Sequence, residues 1–295
     1  MKERPIQHFR YTGVEMGVIS LIPKVVYSKR NGQELPISLL VHKAWLADRE
    51  HAEKRPLIIF FQGSGYLHPN YDSAMGNLVY AASRGFVVSM VECGSFMEGW
   101  SFLDIHMNFK TVIRYLRANA ELYGIDPDHV TVWGTSSGGT SAVFAGLSGD
   151  MPEYKTEEYA DVSDTVQCVV EMAGPQDLRA LLSGPGLGQQ YKDSWLSHAD
   201  EADWEKVLDE GSTLRLLETN KSRCPFYLAH SKDDELVPFS QTKILYDALL
   251  GAGYDVQMAV IEGASHTQGL TTEVLHAALD FVAEILQVIL TLQMV

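Results

Sequence analysis

Hydrophobic residues along the chain form short, almost wholly apolar runs that alternate with stretches of helical periodicity. Six such runs lie at 57–61, 86–92, 130–134, 166–172, 225–230 and 256–262. Strands that are apolar on both faces are typical of a parallel sheet covered by helices on both sides. Helices are predicted at 72–84, 104–123, 137–148, 239–251 and 272–290. The pattern therefore predicts an α/β fold built from successive βαβ units.

Two further β-rich runs precede this series, at Lys24–Ser28 and Ile37–His42. The Asn31-Gly32 pair between them is typical of a tight hairpin turn, because both residues tolerate positive φ. The chain is therefore predicted to open with antiparallel strands that join a mostly parallel central sheet.

One connection is much longer than the others. The segment 178–220 lies between two predicted strands, whereas such connections usually take about 2–6 residues. We interpret it as a cap or lid inserted into a single domain that covers 1–295, with a functionless surface excursion as the alternative. The sequence Gly184–Gly188 within it neither opens a helix after a strand nor carries the lysine of a phosphate loop, so it is interpreted as a hinge.

The composition is that of an ordinary globular protein and argues against several classes. The chain is 46% hydrophobic and has no apolar run long enough to span a membrane. A net charge of −15, without a cluster of Lys or Arg, argues against a nucleic-acid partner. Three widely spaced cysteines encode neither a disulfide framework nor a zinc knuckle, and the N-terminal segment lacks a leader-like apolar region, which predicts a cytoplasmic location.

The most informative motif is Gly134-Thr135-Ser136-Ser137-Gly138, a G-x-S-x-G sequence. It directly follows the run 130–134 and directly precedes a predicted helix, which is the context that a nucleophile elbow requires. The glycines remove side chains that would clash with neighbouring backbone, and the start of the helix directs N–H groups at developing negative charge. Ser136 is therefore the predicted nucleophile, with a turn of small residues kept for packing as the alternative.

An active serine needs a base to accept its proton and usually a carboxylate to orient that base. Two loops downstream of Ser136, each directly after a predicted strand, supply candidates. The first loop, Ser231–Pro238, contains Asp233 and Asp234, and the second ends in His266. Open α/β sheets place their sites at the carboxyl ends of strands. The sequence thus predicts a triad in the order Ser136, an acid near 234, and His266.

Other titratable residues are weaker candidates. Asp177 follows the fourth apolar run and is a rival acid, with a helix N-cap as its alternative role. His230 ends a strand but precedes the acid in sequence, which favours a structural role. His68, His106 and His129 each stand alone. Since no His, Asp or Glu pair has ligand spacing on one element, no metal site is predicted.

Three segments taken in order resemble those of a known family. They are Ile125–Val130 ahead of the elbow, Asp234–Pro238, and Gly263–His266. Together they are similar to the α/β-hydrolase esterase/lipase superfamily, and more narrowly to its feruloyl/acetyl-xylan esterase-like group and carboxylesterase relatives. The resemblance covers 25–146 and 225–282.

This resemblance implies an α/β-hydrolase fold and a serine esterase that cleaves carboxylic esters through an acyl-enzyme without a cofactor. Because the family's catalytic Asp lies four residues before a Pro, as Asp234 does before Pro238, it is favoured over Asp233. The expected substrates are small acyl or hydroxycinnamoyl esters, including esters on plant-derived saccharides. Two alternatives remain open: a prolyl-oligopeptidase-like peptidase, and a catalytically silent α/β-hydrolase-fold protein that binds a ligand.

The family's oxyanion loop usually reads His-Gly-Gly-Gly-aromatic, whereas this chain has Gln62-Gly63-Ser64-Gly65-Tyr66. The working donors in that loop are backbone N–H groups, so the change of side chains need not remove them. The resemblance therefore implies an oxyanion hole formed by the N–H of Ser64 or Gly65 together with that of Ser137. The predicted pocket residues are Gln62, Tyr66 and Trp100.

Two points stay open at this level. Core packing is the alternative role for each aromatic pocket candidate, a set that also includes Phe96, Trp195 and Trp204. The apolar tail 285–290 is compatible with packing on the body of the protein or with contact between copies of the chain.

Overall fold

The computed structural model describes residues 18–71, 73–183, 188–196, 199–220, 223–268 and 271–288. Residues 184–187 of the predicted hinge, 289–290 of the apolar tail and the N-terminal segment 1–17 lie outside this description. Within the described ranges, the chain forms an eight-stranded sheet flanked by helices, as the apolar pattern predicts.

The strands are β1 (Ile19–Arg30), β2 (Gln33–His42), β3 (Arg55–Phe61), β4 (Val87–Val91), β5 (Ile125–Thr135), β6 (Cys168–Met172), β7 (Phe226–Ser231) and β8 (Val256–Ile261). Their order across the sheet is β1-β2-β4-β3-β5-β6-β7-β8. Strand β2 pairs antiparallel with β1 and β4, and all other neighbours are parallel. The predicted mostly parallel sheet with antiparallel N-terminal strands is confirmed.

The first hairpin follows the expected turn chemistry. Asn31 and Gly32 have φ values of 51° and 75°, and Arg30 pairs with Gln33 across the turn. Two consecutive residues with positive φ match the right-handed twist of the flanking strands. The Asn-Gly pair therefore sets the register of β1 on β2.

The helices within the described residues are α1 (Lys43–Ala47), α2 (Met75–Ser83), α3 (Phe102–Ala118), α4 (Ala120–Tyr123), α5 (Ser137–Leu147), α6 (Leu178–Ser183), α7 (Gly188–Leu196), α8 (Trp204–Gly211), α9 (Ser240–Gly251) and α10 (Thr272–Leu286). The five predicted helices are present, with two differences. The predicted helix 104–123 is divided at Asn119 into α3 and α4. The helix predicted to reach 290 ends at Leu286, because Gln287 is left-handed with φ 53°.

None of the helices in the described ranges is both long and apolar enough to cross a bilayer. The cytoplasmic location stays a prediction. The side chains of Cys93, Cys168 and Cys224 are buried thiols.

The core has two layers, one on each face of the sheet. In β3, Leu57, Ile59 and Phe61 enter the layer on one face. The intervening residues Ile58 and Phe60 enter the layer on the other. Successive side chains of a strand point to opposite faces, so a strand buried on both sides must be apolar throughout. This explains why the strands appear in the sequence as continuous apolar runs.

The long connection between β6 and β7 folds into helices α6, α7 and α8. Its Trp195 side chain is only 2% exposed and packs at ring distances of 5.5 Å from Phe102 of α3 and 6.4 Å from Tyr66. The segment therefore packs against the body beside the loop that follows β3. Its role as a lid and the single-domain organisation remain predictions.

Candidate active site

Ser136 lies on a sharp turn between β5 and α5. Its φ of 52° and ψ of −129° form a conformation that costs a non-glycine residue about 1–3 kcal/mol. Its N–H donates to the carbonyl of Met172 at 2.7 Å, which holds the turn in place. A Cβ on Gly134 would lie 1.9 Å from the oxygen of Gly138, and a Cβ on Gly138 would lie 2.0 Å from that of Phe61. Backbone crowding thus requires both glycines of the motif.

Three side chains from separate loops meet at this turn. His266 Nε2 lies 2.9 Å from Ser136 Oγ, and its Nδ1 lies 2.6 Å from Asp234 Oδ2. The side chain of His266 is 9% exposed and that of Asp234 is 1% exposed. A neutral imidazole that donates from Nδ1 to the carboxylate keeps its Nε2 lone pair for the serine proton. The arrangement can therefore deprotonate Ser136 as it attacks an electrophile.

The Asp234 carboxylate accepts hydrogen bonds on both oxygens. Oδ2 accepts from His266 and also lies 2.9 Å from His230 Nε2. Oδ1 accepts from the N–H groups of Leu236 and Val237, each at 2.9 Å. Burial alone would raise the pKa of Asp234, but the hydrogen bonds from His230, His266 and Val237 outweigh it and hold that pKa well below its usual range. The carboxylate is thus ionised at neutral pH and can stabilise a protonated His266.

The two rival acids lie elsewhere. Asp177 Oδ1 accepts from the N–H of Ala180 at 3.0 Å, which is the capping role considered as its alternative. The exposed Asp233 accepts from the N–H of Gly263 at 2.6 Å. In the hydrogen-bond network of the described residues, neither carboxylate contacts His266.

The loop after β3 turns sharply beside Ser136. Gly65 and Tyr66 are both left-handed, with φ values of 60° and 61°, and the N–H of Leu67 donates to the carbonyl of Ser64 at 3.1 Å. This conformation has no steric cost for glycine, whereas it is strained for tyrosine. Since packing and hydrogen bonding must hold Tyr66 there, the loop conformation depends on the tertiary structure.

The predicted oxyanion donors need one correction. The N–H of Ser64 donates to Ser137 Oγ at 3.0 Å, so this donor is already used within the protein. The N–H groups of Gly65 and Ser137 donate to no acceptor among the described residues. Both residues also border a cleft beside Ser136. Gly65 and Ser137 are therefore the pair that remains available to an oxyanion.

Ser136 stands between two cavities of different character. The larger one has a volume of about 560 Å³ and is lined in part by His266. Its lining residues with amide or hydroxyl side chains are Gln62, Ser64, Ser73, Asn77, Thr135, Ser136, Ser231, Ser265 and Thr267. A second, much narrower cleft is lined by Gly65, Ser136, Ser137, Pro175, Leu181, Trp195 and Val237. In the part of the chain that the structure describes, no group of three or more His, Cys, Asp or Glu side chains is placed to hold a metal.

Comparison with known proteins adds a family to this geometry. The BD-FAE family model matches residues 45–249. The chain belongs to the BD-FAE family. The matched region includes Ser136 and Asp234 and ends before His266, so the base lies in the part of the fold that follows it.

Relatives of this BD-FAE protein carry esterase names. The chain is 23% identical over 221 residues to isoprenylcysteine alpha-carbonyl methylesterase ICME of Arabidopsis thaliana, which covers 72% of the chain and 50% of that protein. It is 26% identical over 170 residues to esterase LipQ of Mycobacterium tuberculosis, which covers 57% of the chain and 39% of that protein. The chain thus spans half or less of the length of these two relatives.

Solved structures place the BD-FAE protein in a known fold. A truncated carbohydrate esterase from gut microbiota matches with a TM-score of 0.76 and 22% identity, over 91% of this chain and 96% of that chain. A thermophilic esterase from Thermogutta terrifontis matches with a TM-score of 0.72 and 22% identity, over 92% and 94% of the two chains. The likeness establishes the α/β-hydrolase fold.

Two of the three predicted pocket residues of the BD-FAE protein line neither cavity. Tyr66 and Trp100 are each 2% exposed. The Tyr66 hydroxyl donates to the carbonyl of Ser137 at 2.7 Å, and the Trp100 indole N–H donates to Gln33 Oε1 at 2.9 Å. Both rings gain more by burial with a satisfied polar group than by facing solvent. Gln62 does line the larger cavity, where its buried Oε1 has no partner among the described residues.

Trp195 takes a role at the site that the sequence left undecided. Its indole N–H donates to the carbonyl of Gly65 at 2.8 Å, and its side chain borders the narrow cleft. Because Trp195 belongs to α7, the insertion both walls this cleft and fixes one carbonyl of the oxyanion loop. A tryptophan in the long connection was the available signal, but its direction could not be inferred.

The sequence reasoning overlooked Glu171, which lies in β6 directly behind the elbow. Its side chain is fully buried. It accepts from the N–H of Gly174, and its Oε2 lies 3.4 Å from Thr242 Oγ1. Burial raises the pKa of Glu171 to about 8 despite these hydrogen bonds, so the group is mostly protonated at neutral pH. A carboxylate within an otherwise apolar strand was the signal that could have found it.

Because Glu171 is protonated in the folded protein, the free energy of unfolding should depend on pH, and Glu171→Gln should remove this dependence. The folded protein keeps a proton that the unfolded chain releases between the ordinary pKa of 4.5 and about 8. The free energy of unfolding therefore falls as the pH rises through this window, by on the order of 1 kcal/mol for each pH unit. Gln can occupy the same site without titrating. Denaturant unfolding of both proteins at about pH 5.5 and pH 8 should show a smaller loss for the variant, and parallel profiles would contradict the assignment.

Proposed function

We propose that this protein is a serine hydrolase of carboxylic esters. The observation that carries the proposal is the position of His266, within hydrogen-bond distance of both Ser136 Oγ and Asp234 Oδ2. Ser136 attacks the acyl carbon while its proton passes to His266 Nε2. The tetrahedral oxyanion is held by the N–H groups of Gly65 and Ser137.

The two halves of the reaction use the same groups in turn. As the tetrahedral intermediate collapses, the bond from the acyl carbon to the alcohol oxygen breaks, and His266 gives its proton to that oxygen. Water then attacks the ester formed on Ser136 while His266 takes a proton from it. The bond from the acyl carbon to Ser136 Oγ breaks, and His266 returns the proton to Oγ as the carboxylic acid leaves. Asp234 keeps the imidazole in the tautomer that both steps require. No cofactor enters this scheme.

The two cavities take different halves of the substrate. Since His266 must protonate the departing alcohol, the alcohol belongs in the larger cavity, which His266 lines. The acyl group is then directed at the narrow cleft, which borders Ser136 and the oxyanion donors but not His266. The cleft is too narrow for a water molecule as it stands, so its walls must move to admit even an acetyl methyl group. This assignment favours small acyl groups over hydroxycinnamoyl groups.

The lining of the larger cavity supports a polar alcohol. Its polar residues outside the triad include amides and hydroxyls such as Gln62, Asn77 and Thr267. Amides and hydroxyls can both donate to and accept from sugar hydroxyls. The carbohydrate-esterase name of one structural neighbour agrees with this chemistry. We therefore propose small acyl esters of saccharides as the substrate class.

A series of p-nitrophenyl esters tests the acyl assignment. We expect kcat/KM to fall at least about tenfold from acetate to octanoate, because a longer chain must displace the walls of the narrow cleft. Leu181→Ala enlarges that cleft and should reduce the discrimination. Leu67→Ala enlarges the other cavity and is the matched control, since it should leave the acyl preference unchanged.

Other outcomes would redirect the proposal. If the acyl preference changed in Leu67→Ala and not in Leu181→Ala, the acyl group would be assigned to the larger cavity and the alcohol to the narrow cleft. Faster hydrolysis of methyl ferulate than of acetyl esters would favour the hydroxycinnamoyl class. Cleavage of a peptide series without ester hydrolysis would indicate a peptidase. Folded protein that neither hydrolyses esters nor reacts with a fluorophosphonate would be a silent binding protein.

A further inference from the structure

His230 contacts the triad of Ser136, His266 and Asp234 but is not one of its three members. The residue ends β7, and its side chain is fully buried. Its Nε2 lies 2.9 Å from Asp234 Oδ2 and 3.0 Å from the carbonyl of Val237. Its Nδ1 lies 2.7 Å from Thr242 Oγ1. Every ring nitrogen of His230 is thus committed to a specific partner.

The partners of Nε2 determine where the proton lies. A carboxylate oxygen and a backbone carbonyl are both acceptors at neutral pH, so Nε2 of His230 must carry the hydrogen. It therefore donates to Asp234 Oδ2, the same oxygen that accepts from His266 Nδ1. Two imidazole donors share one carboxylate oxygen, and the strength of each bond depends on the other.

A second group stands behind His230. Thr242 Oγ1 lies between His230 Nδ1 and Glu171 Oε2, at 2.7 Å and 3.4 Å. With Glu171 protonated, the threonine hydroxyl is free to donate to Nδ1, which again places the imidazole hydrogen on Nε2. The chain of contacts from β6 through α9 to β7 thus favours one tautomer of His230.

We propose that His230 is a positioning residue that holds the Asp234 carboxylate and shares the charge of the oxygen that accepts from His266. The inference rests on the proposed function, because it assigns His266 as the base. By sharing the charge of Oδ2, His230 leaves less of it to stabilise a protonated His266. Without this donor, the carboxylate attracts the His266 proton more strongly. The pKa of His266 should then rise, and so should the acid limb of the pH–rate profile, which follows the neutral base.

Other charged groups near His230 have their own partners. Asp233 accepts from the N–H of Gly263, and Glu235 accepts from the N–H of His266. Directly after β7 and β8, Lys232 pairs with Glu262 in an exposed ion pair. The two carboxylates that face the ring itself are therefore Asp234, directly, and Glu171, through Thr242.

Two substitutions of His230 separate positioning from packing. The amide of Gln reaches the place of Nε2, so His230→Gln keeps a donor to Asp234. The amide of Asn reaches only the place of Nδ1, so His230→Asn keeps the contact with Thr242 and loses the donor. We expect the acid limb of kcat/KM to move up by about 0.5–1 pH unit in His230→Asn and to stay close to the wild type in His230→Gln. A purely structural role would lower kcat in both variants without moving the limb.

Histidine NMR gives a second reading that needs no turnover. In ¹⁵N-labelled protein, the pKa of His266 should be higher in His230→Asn than in the wild type. In the wild type itself, His230 should carry its proton on Nε2 throughout the neutral range. A bare Nε2 in the wild type would overturn the inference whether or not the variants fold. An unchanged His266 pKa in folded His230→Asn would overturn it as well. If the proposed function were wrong, the wild type itself would not hydrolyse esters, and the NMR results expected here would be unaffected.

Discussion

Replacing Ser136 with alanine should lower kcat for ester hydrolysis by roughly 10⁴- to 10⁶-fold, and covalent labelling by a fluorophosphonate should disappear. The substitution removes the only atom that forms the acyl-enzyme in the proposed scheme, while Gly65 and Ser137 keep their N–H groups. The measurement is p-nitrophenyl acetate hydrolysis by the wild type and the variant, with thermal unfolding of both.

The control for this prediction is Ser240→Ala. Ser240 is exposed at the first position of α9 and contacts neither cavity. This variant should hydrolyse the ester and bind the fluorophosphonate as the wild type does. If Ser136→Ala retained more than about one hundredth of the wild-type kcat while fully folded, a nucleophile other than Ser136 would be required.

Asp234→Asn is expected to give the second large effect, a loss in kcat of roughly 10³- to 10⁴-fold. The amide has no negative charge to stabilise the protonated His266, and its NH₂ group can hold the ring in the wrong tautomer. The substitution preserves the shape of the side chain, but its NH₂ group must face either two backbone N–H donors or two imidazole donors, so thermal stability should fall as well as kcat. The same ester assay and an unfolding curve measure both quantities.

The two rival acids supply matched controls of identical chemistry. Asp177→Asn and Asp233→Asn should each stay within a few-fold of the wild type, because an amide oxygen can still accept from the N–H groups of Ala180 and Gly263. If Asp177→Asn lost as much kcat as is expected for Asp234→Asn, the catalytic acid would instead be Asp177, in the loop after β6. The α/β-hydrolase fold would be unaffected by that result.

Local patterns account for most of the architecture. Continuous apolar runs predicted the parallel strands, and Asn31-Gly32 predicted the hairpin, because each depends on the burial or φ values of a few neighbouring residues. The ends of elements were less predictable. Asn119 divides a continuous helical pattern, and Gln287 ends α10 before the apolar residues do. Hydrophobic periodicity predicts which face of a helix is buried, but it does not predict the residue at which the helix ends.

The oxyanion loop was only partly predictable for a different reason. The motif showed which backbone segment supplies donors, but Ser64 and Gly65 were indistinguishable. The difference arises from the hydroxyl of Ser137, seventy-three residues away along the chain, which accepts the N–H of Ser64. Likewise, the direction of Tyr66 depends on the carbonyl of Ser137, and no local pattern contains that contact.

By itself, the sequence determined the α/β class, the strained turn at Ser136 and the order of serine, acid and histidine along the chain. These features depend on local chemistry: apolar runs form buried strands, and a serine on a strand-to-helix turn needs small neighbours. The family resemblance favoured Asp234 as the acid, and the tertiary structure brings its carboxylate to His266. The tertiary structure alone decided which N–H groups stay available to an oxyanion, and that His230 lies on Asp234. The contacts of His266 with Asp234 and of Ser64 with Ser137 join segments that are distant along the chain. The contact of His230 with Asp234, four residues apart, depends on the course of the loop between them. Sequence spacing determines neither kind of contact, because each requires atoms to meet within about 3 Å.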